Sequence, residues 1–123
     1  MANQRERNWP ELTPDLVFDI LRDQRRRHVL AYLFGERRPV PIDELTRAVA
    51  RREFDAPPDS LDDDRLERVC ISLVHTHLPK LTQAGLLERN ADTDTVELTD
   101  RVASLEADLR FAIDEDLEEH YVP

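Results

Sequence analysis

The sequence predicts a mainly helical α+β domain, in which five short amphipathic helices accompany one small β-hairpin. Three observations carry that expectation. Apolar residues recur three and four apart over most of the chain, the spacing that lines one face of a helix. That spacing gives way to short strand-like runs only at Leu86–Arg89 and Thr95–Leu98, on either side of Asn90-Ala91-Asp92-Thr93-Asp94, which is turn chemistry. The two glycines, Gly35 and Gly85, each follow a periodic segment, where a helix is expected to close.

Thr13-Pro14-Asp15 opens the first helix with a hydroxyl cap, a proline in the first turn and an acid near the positive dipole end. Leu16, Val17, Ile20 and Leu21 form its apolar stripe. Asp23 reads as a second cap, for a helix that buries Val29, Leu30 and Leu33 and ends at Gly35. Arg37–Pro41 is an extended connection, too proline-rich for a central strand. Ile42, Leu45, Ala48 and Val49 then predict a helix over residues 42–53. After an acidic loop, Asp55–Asp64, Ser60 and Asp63 have the spacing of a capping box. Leu66, Val69, Cys70, Leu73, His77 and Leu81 stripe the next helix, which Pro79 should bend and Gly85 terminate. Val102, Leu105, Leu109, Ile113 and Leu117 stripe the last helix, which holds eight acids between Asp100 and Glu119. Residues 1–12 therefore read as a polar tail in which Trp9 tucks against the body, 13–99 as the domain, and 100–123 as an acidic C-terminal helix.

At 123 residues the chain is long enough for one domain with its own core. It carries 27 Asp plus Glu against 17 Lys plus Arg, a net charge of −10, and Lys80 is its sole lysine. Such a surface suits a cell with molar internal salt, as in a halophilic archaeon, because the Debye length falls to ~3 Å at 1 M and self-repulsion is screened. The same screening weakens the usual inference that an acidic chain avoids nucleic acid. The acid excess is also uneven: residues 1–54 hold eleven Arg against nine acids, and residues 65–90 hold four bases against two acids. No apolar run approaches the ~18 residues of a membrane span, and Met1–Asn8 is polar, so a soluble cytoplasmic protein is expected.

The residues argue against catalysis and against metal. A single cysteine, Cys70, excludes an internal disulfide and a Cys-based zinc cluster. His75 and His77 are two apart on a helix and point to different sides. Cys70 and His77 share a face but lie ~10.5 Å apart in helical rise, too far for one ion or for a nucleophile–base pair. His77 is expected to pack inside and Cys70 to act as a small core residue. Gly-rich phosphate loops are absent. No catalytic residue, cofactor, metal or small-molecule substrate is expected.

The order helix, extended residues, helix, loop, helix, hairpin, helix is that of a winged helix-turn-helix with an additional C-terminal helix. The segment Thr76-His77-Leu78-Pro79-Lys80-Leu81-Thr82-Gln83-Ala84-Gly85-Leu86-Leu87-Glu88 resembles the third-helix-to-wing passage of ArsR- and MarR-type transcriptional regulators. With the run from Asp23 to Leu33, it is similar to haloarchaeal winged-helix families. The resemblance implies a DNA-binding regulator whose third helix enters the major groove while the wing approaches the backbone. Arg68, Ser72, His75, Thr76 and Lys80 are then the groove-side candidates, and Arg89 and Asn90 the wing candidates. Arg25-Arg26-Arg27 is ambiguous: at most two of three consecutive helical residues face one phosphate backbone, and pairing with nearby acids serves equally well. Family members of this shape often dimerise through terminal helices, which implies a homodimer on double-stranded DNA through Val102, Leu105, Leu109, Ile113 and Leu117. The competing expectation is a protein–protein interaction module that does not bind DNA.

Overall fold

The computed structural model describes residues 9–55, 57 and 60–111. Helix α1 spans Pro14–Leu21, and the Thr13 hydroxyl accepts a hydrogen bond from the Leu16 amide at 3.2 Å, as the cap signal requires. Helix α2 spans Gln24–Glu36, capped by Asp23 through the Arg26 amide. Its end differs from expectation. Gly35 lies inside the helix, and the left-handed residue that closes it is Arg37, with φ 54°. The Arg37 amide reaches the Leu33 carbonyl, and its guanidinium lies over the Phe34 ring.

Strand β1 is the pair Val40–Pro41, and helix α3 follows at once over Ile42–Phe54. Asp43 and Glu44 sit in its first turn and Arg51 and Arg52 in its last, each complementing the helix dipole. Helix α4 spans Asp63–Ser72 and is capped by Asp62, whose carboxylate accepts from the Arg65 amide at 2.7 Å. The capping box expected at Ser60 is not formed, because the Ser60 hydroxyl turns back to the Pro57 carbonyl.

Instead of a plain bend at Pro79, the helix passes through a π-helical turn, Leu73–His77, before continuing as α5, Leu78–Gln83. Proline has no N–H to donate and its ring clashes with the carbonyl four residues back. Widening the preceding turn, so that the Leu78 amide bonds the Leu73 carbonyl, accommodates the ring without ending the helix. Gly85, at φ +78°, closes α5, and the Leu86 amide returns to the Leu81 carbonyl.

Strands β2, Leu87–Asn90, and β3, Thr95–Leu98, form the hairpin, one residue later at its start than the sequence suggested. The sheet is antiparallel with order β1-β3-β2, so the proline-containing strand is at the edge, where its missing N–H is harmless. A 3₁₀ segment, Asp100–Leu105, leads into a helix at residues 106–111. The core lies between α1–α5 and one face of the sheet; Ile20, Leu30, Leu45, Leu73, Leu81, Leu87 and Val96 are each 1% exposed or less. Trp9 does tuck against the body: its ring covers Gly85, and Arg101 lies over it.

Candidate nucleic-acid interface

The long helix from Asp63 to Gln83 has one side buried in the core and one side left over. Val69, Leu73, His77 and Leu81 face inward and are buried. Arg68, Ile71, His75 and Thr76 are exposed on the other side, with Ser72 half-buried among them. Among the described residues, none of Arg68, Ser72, His75 and Thr76 has a side-chain hydrogen bond or ion pair. The π-turn keeps His75 and Thr76 on this outer surface, whereas His77 goes into the core. Ile71 is 51% exposed, an apolar side chain within an otherwise polar row. The sequence held a signal for it, since position 71 fits no place in the inner stripe.

The remaining candidates are engaged. Lys80 is half-buried and ion-paired to Asp19 of α1, which holds the Asp19 carboxyl below the usual carboxylate range. Arg89 is exposed on β2 of the hairpin but meets the Asp94 carboxylate at 2.8 Å. Asn90 works for the turn: its side-chain oxygen accepts from the Asp92 and Thr93 amides. Arg65, also outward, stacks over the Phe54 ring at 4.8 Å and approaches Asp62 at 3.9 Å.

The three consecutive arginines all serve the fold. Arg25 makes a two-pronged ion pair with Glu53 of α3. Arg26 is 6% exposed and donates to the Ile20 carbonyl at 2.9 Å and the Asp19 carbonyl at 2.6 Å, satisfying the end of α1. Arg27 donates to the Leu21 carbonyl at 2.7 Å. The phosphate-binding alternative for this run is thereby corrected. The α1 carbonyls require donors, and Arg26 and Arg27 in the first turn of α2, six or seven residues further along the chain, reach them.

A family model described as a domain of unknown function (DUF7344) matches residues 18–97. The chain belongs to this family. The matched span runs from Phe18 in α1 to Glu97 in β3, so the outward row and nearly all of the hairpin lie within the DUF7344 domain, and the terminal helix lies beyond it. No curated protein and no solved structure matches the chain.

Val102, Leu105 and Leu109 are buried against the DUF7344 core at 9%, 1% and 2% exposure, so they are occupied by the chain's own body; Ile113 and Leu117 lie outside the described residues. Exposed apolar surface appears elsewhere. Phe18 and Phe111 flank a groove of about 1100 Å³ between α1 and the terminal helix, walled by Leu12, Val17, Leu21 and Leu105. His75 and His77 diverge as their spacing dictates, one exposed and one buried. Among the described residues, no three His, Cys, Asp or Glu side chains gather as metal ligands, and no helix is long and apolar enough to cross a membrane.

Proposed function

We propose that this chain is a DNA-binding transcriptional regulator of winged helix-turn-helix type, acting by occupying a promoter rather than by chemistry. The observation that carries the reading is the row Arg68, Ile71, Ser72, His75 and Thr76. It is an exposed, mostly polar face on a helix whose opposite face is fixed in the core, and it does no structural work among the described residues. The topology supports it: helix, edge strand, helix, long helix and hairpin, with β1 paired to β3, is the order of a winged helix. Side chains of this row suit base edges, with arginine donating to guanine and hydroxyls adapting to either partner, while Ile71 suits a thymine methyl.

The site works in molar salt under this reading. Counterion release yields little there, so base-edge contacts and shape carry more of the affinity. Selection from random duplexes in molar KCl is expected to enrich one motif. Arg68→Ala, His75→Ala or Thr76→Ala should each then reduce preference for it by about 1–3 kcal/mol. Failure of the wild-type protein to enrich any motif would reject the reading. In its place would stand a protein–protein interaction module, which the pairing of Lys80 with Asp19 and Arg89 with Asp94 favours. A homodimer accompanies the DNA reading, with its contact moved from the buried terminal stripe to the exposed Phe18 and Phe111.

A further inference from the structure

His77, the last residue of the π-turn, points into the core, bracketed by two groups of opposite charge. Its Nδ1 lies 3.3 Å from Nη1 of Arg26, and its Nε2 lies 3.9 Å from Oδ1 of Asp23. A guanidinium can only donate, so Nδ1 is the acceptor and the ring is neutral, with its proton on Nε2. Arg26 cannot follow the ring if that bond is lost, because the Asp19 and Ile20 carbonyls hold its other nitrogens. Asp23 is equally fixed, as the cap of α2. The other charged groups nearby are already paired: Arg25 with Glu53 across α2 and α3, and Lys80 on the same helix with Asp19 of α1.

We infer that His77 is a two-position switch, in which protonation exchanges its Arg26 partner for Asp23 and re-sets the π-turn that carries His75 and Thr76. The step is the uptake of one proton from water at Nδ1. The bond from Arg26 is lost, two cations then face each other, and the attractive partner becomes the Asp23 carboxylate. The π-turn is the part of the helix suited to respond, since it is a single-turn departure from the α-helical ladder, with the Leu78 amide bonded to Leu73, and His77 is its last residue. Burial keeps the His77 pKa below the ordinary histidine value, against the pull of Asp23. The Arg26-bonded state is therefore resident at neutral pH, and the exchange belongs to acidification.

The switch is a property of the free protein and is read without DNA, so it stands or falls separately from the proposed function. The experiment is an NMR titration of the full chain in molar KCl from neutral pH downward. The amides of Leu73–Leu78 and the Arg26 Nε–H are expected to shift with the His77 ring on one curve, with a midpoint below about 6.5. His77→Gln offers an acceptor to Arg26 but does not titrate, and should abolish that movement. Asp23→Asn keeps the helix cap while removing the carboxylate, and should lower the His77 midpoint further. The proposal is overturned if the ring titrates while the Leu73–Leu78 amides stay fixed, or if the movement survives in His77→Gln. An unchanged midpoint in Asp23→Asn would reject Asp23 as the second partner.

Discussion

Arg25 of α2 and Glu53 of α3 meet through two parallel hydrogen bonds, Nε to Oε1 at 2.7 Å and Nη2 to Oε2 at 2.8 Å, with side chains 26% and 20% exposed. The carboxylate raises the arginine pKa, chiefly through those bonds and against the cost of burial. Geometry of this kind is stronger than that of an ordinary surface pair, being bidentate and partly shielded from water. Glu53→Gln keeps the shape and removes the charge. It should lower unfolding stability by about 1–3 kcal/mol, read as a shift of the denaturant midpoint at fixed KCl; an unshifted midpoint would show the pair to be energetically idle.

The two glycines should respond in opposite directions to alanine. Gly35 is inside α2 with nothing within 4 Å of the position a Cβ would take, so Gly35→Ala should stabilise by roughly 0.5–1 kcal/mol through helix propensity. Gly85 has φ +78° and carries the Trp9 ring directly over it, so Gly85→Ala should destabilise and also displace Trp9. Thermal unfolding separates the two, and tryptophan fluorescence should change in the second variant alone. Stabilisation at both sites would contradict the placement of Trp9.

Those glycines also mark how far the sequence could be read. Caps announced by their own chemistry, Thr13 and Asp23, are where the sequence predicts them, because a short polar side chain next to an apolar stripe has few other uses. Gly85 follows the same logic. Gly35 misleads because helix closure needs a left-handed residue, and Arg37 adopts that conformation with its side chain on Phe34. Ser60 misleads because Asp62, two residues on, competes as the cap and wins. In the candidate site, the outward positions of Arg68 and Ser72 follow from helical period alone, whereas His75 and Thr76 owe their outward placement to the π-turn. The pairing of Lys80 with Asp19 joins residues distant in sequence, and no local pattern records it. The π-turn at Leu73–His77 likewise depends on how the chain accommodates Pro79 in a packed helix, of which the sequence shows only the proline.

Acid should weaken the fold in two steps. His77 has a folded pKa below its unfolded value, so the folded state resists a proton that the unfolded state accepts, and stability falls as pH drops below about 6.5. Asp19, held down mainly by its bond from Lys80, and Glu44, held down by Arg38 and then by Tyr32, contribute stability above the ordinary carboxylate values. That contribution is lost as pH falls through their lower folded values. Urea midpoints measured against pH should show His77→Gln removing the upper step and Asp19→Asn softening the lower one. A single step unaffected by either change would refute the assignment.

Phe18 and Phe111 are 73% and 68% exposed on either side of the α1 groove, surface that a second copy could cover. Each copy carries a net charge of −10, so repulsion opposes association until salt screens it. Light scattering should therefore show a dimer that strengthens with KCl, and Phe18→Asp should return it to monomer while the fold remains intact. Leu109→Glu should behave differently: Leu109 is 2% exposed within the chain's own core, so that change should unfold the terminal helix from the body. A mass unchanged by Phe18→Asp would remove the α1 groove from consideration as the dimer contact.

Asp94 occupies a left-handed position in the hairpin turn, with φ 53°, and its carboxylate holds Arg89 at 2.8 Å. Asparagine tolerates that backbone well, so Asp94→Asn should leave the hairpin folded while freeing the guanidinium and removing one negative charge. Under the DNA reading, Arg89 beside a phosphate backbone adds affinity without adding sequence information. Asp94→Asn should then raise affinity for cognate and unrelated duplexes alike, and steepen the dependence of log K on log salt by about 0.9 for one added phosphate contact. Arg89→Ala should abolish the gain in the double variant. Binding measured over a range of KCl checks both numbers together, and a gain confined to the cognate duplex would mean that Arg89 reads bases rather than backbone.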